Sequence, residues 1–248
     1  MVEETLALLG LWEPGMSVVE LKSSAIRQGV LGRATALRVQ DIVGRVFAAR
    51  YLTNGGKPAH NLKRLVKLNF PASALSQILL IYTARAHDVL HDFICNAYWR
   101  KYEAGATHIT TQDAVLFLRH SIDGGIISPP WSETMILRVG RYLTGCLSDF
   151  KLAGEDHRGS REIIPFRITS LTTLYLAFEI HFSGLSDDSI LCHDDWRLFG
   201  LGPMDVRREL ELVSNGHFIT QFSGELLRTS WYYKTMEEAL DGIATAEL

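Results

Sequence analysis

Apolar residues recur at three- and four-residue spacing over nearly the whole chain, and the period shortens to two in only two windows. No other feature constrains the fold as much, because helices and strands space their side chains with different periods. The pattern predicts a mainly α, multi-helix protein with two small β-hairpins. Ser17 is placed to cap a helix through Val18, Val19, Leu21, Ala25 and Ile26, stopped by Gly29 or Gly32. A second stripe runs through Ala36, Leu37, Val39, Ile42, Val43, Val46, Phe47 and Leu52, and Asn54-Gly55-Gly56 reads as a turn. Leu62, Leu65 and Val66 carry a short basic helix over 61–68, and Pro71 opens a longer helical region over 72–102. Thr110 with Asp113 gives a capping-type start, and Ser132 caps a strongly periodic helix through Met135, Ile136, Val139, Leu143 and Leu147.

After Leu147 the period changes. Residues 150–152 and 163–168 flank a polar tip from Gly154 to Arg161, a hairpin with a long basic tip. Helix, turn, helix, hairpin is the order of a winged helix, with 132–147 as recognition helix and 149–168 as wing. The rest repeats this more loosely: helices at 171–182, 187–199 and 203–213, then strands at 218–222 and 225–232 around Ser223-Gly224. Thr235 to Glu238 forms a capping box for a last helix. Three subdomains are expected: a basic helical 1–70, a winged-helix-like 71–168, and a helical 169–248 with a β-hairpin.

Charge is segregated. Residues 17–67 hold ten of the 25 lysines and arginines and two of the 28 carboxylates. That fifth of the chain carries +8, while the remainder, with 15 cations against 26 anions, carries −11. Solvated faces normally mix both signs, so the segregation points to a polyanion. The candidate nucleic-acid contacts here are Arg33, Arg38, Arg45, Lys57, Lys63, Arg64 and Lys67. On the expected recognition helix they are Arg138 and Arg141, and on the hairpin Lys151, Arg158 and Arg161. That helix has no Asn or Gln for bidentate adenine contacts, so phosphate binding with little sequence specificity is expected.

Several classes are excluded. Three dispersed cysteines, Cys95, Cys146 and Cys192, read as buried free thiols. His87-Asp88 and His91-Asp92 lack a third metal ligand, and Cys192-His193-Asp194-Asp195 is better explained by helix capping than by catalysis. With no Walker or Rossmann glycine pattern either, the reading is a non-enzyme without cofactor or metal. The most lipid-like stretch, 170–182, is interrupted by Glu179 and His181, and the N-terminus lacks a basic signal region. A cytoplasmic protein with no membrane contact is expected. Trp196, Phe199, Trp231 and Tyr232 read as packing of the C-terminal hairpin onto its helix, not as a base-stacking surface.

An ordered set of short motifs gives a more specific indication. Trp131-Ser132-x-x-Thr134, Asp195-Trp196-Arg197-Leu198-Phe199-Gly200-Leu201, Gly216 with Gln221-x-x-Gly224-Glu225, and Trp231 with Met236-Glu237-Glu238 resemble the BrxA family of BREX (bacteriophage exclusion) defence systems. The resemblance spans about Glu20 to Gly242, with the C-terminal motifs as its specific part. It implies a non-enzymatic accessory component whose partners are double-stranded DNA and other BREX proteins. A homo-oligomer is left open. The alternatives are a scaffold assembling other BREX proteins, and RNA binding by the same basic face, which a remote likeness of the family to the antitermination factor NusB keeps in view.

Overall fold

The computed structural model describes residues 2–223 and 226–245. They are predominantly helical, with two small two-stranded antiparallel sheets. They divide into two compact units whose limits do not follow the three consecutive stretches expected. The first unit comprises the residues up to Ala86, Ile168–His193, and those from Leu201 onward; the second comprises His87–Arg167 and Asp194–Gly200.

The first unit is built around two helices, Ala72–Arg85 and Ser170–Phe182, which are buried on nearly every side. A helix apolar all round belongs inside a core, which accounts for the lipid-like composition of 170–182. No helix among the described residues is long and apolar enough to cross a membrane. Glu179 is accommodated by accepting from Tyr82 Oη at 2.7 Å and from both terminal nitrogens of Arg85 at 2.8 and 2.6 Å. Burial drives the hydroxyl pKa values of Tyr82 and Tyr175 upward, so both stay protonated donors. Around this pair lie Val2–Leu11, Val18–Gln28, Lys57–Lys67, Pro203–Val213 and Met236–Thr245. Ser17 caps as expected, in a reciprocal box with Glu20, and Gly29 ends that helix in the left-handed conformation. The second stripe forms one helical stretch over 36–51, interrupted by a wider turn at Ile42–Phe47.

The C-terminal strands Phe218–Ser223 and Leu226–Trp231 pair in register from Phe218 with Trp231 to Ser223 with Leu226. Gly224 and Glu225, part of the expected turn and of one family motif, lie outside the described residues. Trp231 stacks on His181 at 4.3 Å and tilts against Phe178 at 5.3 Å, so it joins hairpin to helix as expected. Tyr232 instead is 53% exposed, and Trp196 and Phe199 are buried in the second unit, away from the hairpin they were expected to support.

In the second unit the expected helix over 72–102 proves to be two. It breaks at His87, in extended backbone, and restarts as Asp88–Phe93, a wider turn at Ile94–Tyr98, and Trp99–Glu103. Thr111–Asp123 and Glu133–Asp149 follow, capped at Thr110 and Ser132 as anticipated. The expected helix over 187–199 also divides, into Asp187–Leu191 and a tight turn of helix at Asp194–Phe199. That second piece belongs to this unit, where Leu198 O accepts from Trp99 Nε1 at 3.1 Å. The thiols are free, as expected, but only Cys146 is buried; Cys95 is half-buried and Cys192 exposed.

Candidate nucleic-acid interface

The central element is the pair Thr111–Asp123 and Glu133–Asp149. Ile136, Leu143 and Leu147 of the second helix face the core. Its contact with the first is close at Gly140, where a Cβ would stand 3.1 Å from Val115 Cγ2. On the opposite side Arg138 and Arg141 are exposed, three residues apart. Arg119 of the first helix pairs with Glu133 at 2.7 Å across the turn.

The expected hairpin exists only as single bridges, Ala153 to Ile163 and His157 to Ser160. The regular partner of Ser160–Glu162 is His108–Thr110, a three-residue strand just before the first helix of the pair. Arg161, one of the expected contacts, is buried. Its Nε donates to Ser148 Oγ at 2.9 Å, its guanidinium reaches Thr144 Oγ1 at 3.3 Å, and it pairs with Asp156 at 3.0 Å. It therefore ties the strand to the last turns of the helix. Asp156 also accepts from Gly159 N at 2.6 Å and shapes the tip. Lys151 and Arg158 are exposed, both in left-handed backbone. The tip is less basic than its arginines suggest, because Asp149, Glu155, Asp156 and Glu162 are interleaved with its cations.

In the first unit the ten cations of 17–67 separate by role. Arg50 is 4% exposed and Lys63 7% exposed. The Lys63 ammonium donates to Gly10 O at 3.3 Å, to Trp12 O, and to Glu13 at 2.6 Å. That hydrogen bond holds the Glu13 carboxyl below its ordinary pKa. Arg64 makes a bidentate pair with Asp241, its Nε at 2.8 Å, which lowers the Asp241 pKa and raises its own. These three residues fasten the helix Lys57–Lys67 and its neighbours together, and Lys63 and Arg64 have no free face to offer a phosphate.

The other seven cations remain on the outside or near it. Arg27, Arg33, Arg38, Arg45, Lys57 and Lys67 are exposed and Lys22 is half-buried. Arg45 sits 3.5 Å from Asp41, one turn away. Arg33, Arg38 and Lys57 have no hydrogen-bond or ion-pair partner for their side chains among the described residues. Arg27, Arg33 and Arg38 fall around the tip of one helix–turn–helix, formed by Val18–Gln28 and the stretch 36–51. That tip was not expected as a unit, although its cap signals were visible.

The histidine pair of the Asp88 helix is not a metal site. His91 Nε2 lies 3.2 Å from Asp194, and among the described residues no group of three or more His, Cys, Asp or Glu side chains could hold a metal ion. Burial pushes the neighbouring Cys95 thiol up to about 12, which makes it an inert thiol.

The BrxA family model matches residues 1–179. The chain belongs to the BrxA family. Membership makes it a component of BREX phage-defence systems. The matched region contains the basic 17–67 stretch and the paired helices through Asp149, whereas of the motifs that carried the resemblance only Trp131-Ser132-x-x-Thr134 lies inside it. No curated protein matches the chain.

Proposed function

We propose that this BrxA-family chain is a non-enzymatic component that holds double-stranded DNA, chiefly by its phosphates. The observation that carries this reading is the set of unpaired cations in the first unit. Arg33, Arg38 and Lys57 stand exposed with no partner among the described residues, and Arg45 and Lys67 are exposed close by in sequence. Holding like charges without counter-charges is unfavourable for the free protein and is relieved by a polyanion. Arg138 and Arg141 add a second exposed cationic face, on the helix that follows a turn as a recognition helix does. Neither set presents the side chains that read base edges bidentately at adenine, so affinity is expected to depend on salt more than on sequence.

The test is a salt titration of binding to a random-sequence duplex. Each phosphate neutralised contributes about −0.9 to the slope of log affinity against log salt, so five contacts give a slope near −4 to −5. Absence of binding at low ionic strength removes the DNA reading.

One observation favours a second reading, a scaffold that docks an acidic protein of the same defence system. Val19, Ile26 and Leu37 are 71%, 43% and 70% exposed on the same helix–turn–helix as the free arginines. Apolar groups among cations suit a protein partner better than a phosphate backbone. Substituting Val19 and Leu37 with Ser distinguishes the two: duplex affinity is unchanged under the DNA reading, and pull-down of other BREX proteins is lost under the scaffold reading.

A further inference from the structure

The first unit contains a cleft of about 850 Å³, within the size range of small-molecule sites. The DNA reading does not use it. Gly55, Gly56 and Lys57 line it at the N-terminal end of the helix Lys57–Lys67, joined by Arg50 and Arg85. Gly55 and Gly56 have φ of 69° and 81°, two left-handed residues in succession, and a Cβ at Gly56 would stand 3.1 Å from Trp12 Cζ2. No side chain caps this helix, and Pro58 in its first turn has no N–H. Its positive end is therefore available to an anion.

A second, independent observation points to a ligand. Trp12 also lines the cleft, is 3% exposed, and its Nε1–H has no acceptor among the described residues. Buried donors are nearly always satisfied. The atom facing Gly56, Cζ2, is two bonds from Nε1, which puts this unused donor beside the uncapped helix end. The charges favour an anion as well. Glu179 is neutralised by its bidentate pair with Arg85, which leaves Arg50 and Lys57 against Glu237.

We propose that this cleft binds a small phosphate-bearing molecule of nucleotide size. The phosphate sits at the start of the helix Lys57–Lys67 and accepts from Trp12 Nε1–H, with the Lys57 ammonium at the entrance. Arg50 supplies buried positive charge behind it. The remaining volume, walled by Tyr82, Phe182 and Met236, takes the rest of the ligand.

The experiment uses the full chain and measures thermal unfolding and calorimetric titration with pyrophosphate, ATP and adenosine. Pyrophosphate and ATP are expected to raise the unfolding temperature with increasing concentration, and adenosine to leave it unchanged. Much tighter binding of ATP assigns the site to nucleotides, and equal binding assigns it to the phosphate group alone; both support the proposal. Lys57→Glu should abolish the shift, and because Lys57 is exposed this variant keeps its fold. Trp12→Phe keeps the ring and removes the donor, and should weaken binding severalfold. Lys57 also belongs to the DNA reading, so Trp12→Phe separates the two: duplex affinity should be unchanged. No shift from either phosphate compound, or equal binding by wild type and both variants, overturns the proposal. So does a parallel loss of duplex affinity in Trp12→Phe, which would make the cleft part of the duplex site.

Discussion

The two cationic regions differ in what the fold does with their charge. Around the 151–162 tip, carboxylates are interleaved with the cations and Arg161 is consumed internally by Ser148, Thr144 and Asp156. In 17–67 there are only two carboxylates for ten cations, and the fold absorbs three of the ten, leaving Arg33, Arg38 and Lys57 without partners among the described residues. Cationic density in a sequence is therefore not the same as cationic availability. What decides is the number of local acceptors, backbone carbonyls included, that the fold brings within reach.

That contrast can be broken at several points. The largest effect is expected at Lys63, whose replacement by Met leaves the carbonyls of Gly10 and Trp12 without their charged donor. Denaturant unfolding should show a loss of about 2–4 kcal/mol, and an unchanged midpoint would mean the ammonium is not structural. Arg161→Met should cost roughly 1–3 kcal/mol by the same measurement, since its partner Asp156 retains solvent. The double variant Arg33→Glu, Arg38→Glu should behave oppositely. Its stability should stay within about 0.5 kcal/mol of wild type, while the salt slope of duplex binding becomes shallower by about 1.8. Arg138→Ala with Arg141→Ala should change that slope less than the first pair does; a larger change would move the main contact to the second unit.

The smallest effect is on pH dependence. Burial holds the pKa values of His181 and His217 below the ordinary 6.5. The unfolded chain then takes up protons that the folded chain refuses, so stability is complete above about pH 6.5 and is lost as pH falls below it. Thermal melts at falling pH should show this decline, and His181→Phe should flatten it.

Much of the helical framework was legible because caps are local. Ser17 with Glu20, Thr110 with Asp113, and Ser132 all act within one turn of their own position. The break at His87 was not legible, since the residues around it carry no glycine or proline and the apolar pattern continues across it. Nor was the pairing of Ser160–Glu162 with His108–Thr110, because three-residue strands carry no period and their partners are some fifty residues apart. Lys63 and Arg161 were misjudged as contacts for a related reason. Their acceptors lie 51 and 13 residues away, at Trp12 and Ser148, and composition cannot locate them. Arg33, Arg38 and Lys57 were read as exposed cations from the scarcity of acids nearby, a local property that the fold preserved.

The interleaving of the two units along the chain has a consequence for synthesis. The chain leaves the first unit at Ala86, returns at Ile168, leaves again at His193 and returns at Leu201. When a ribosome has made the first 86 residues, the helix Ala72–Arg85 still lacks its core partner Ser170–Phe182. When it has made 167, the second unit still lacks Trp196 and Leu198, which are 1% and 0% exposed in the finished protein. Neither unit can therefore close until the last quarter of the chain emerges, and a nascent chain carries two incomplete apolar cores at once. Premature termination anywhere before Asp194 leaves both unfinished, so partial chains should be cleared as misfolded protein and not persist as half-functional fragments.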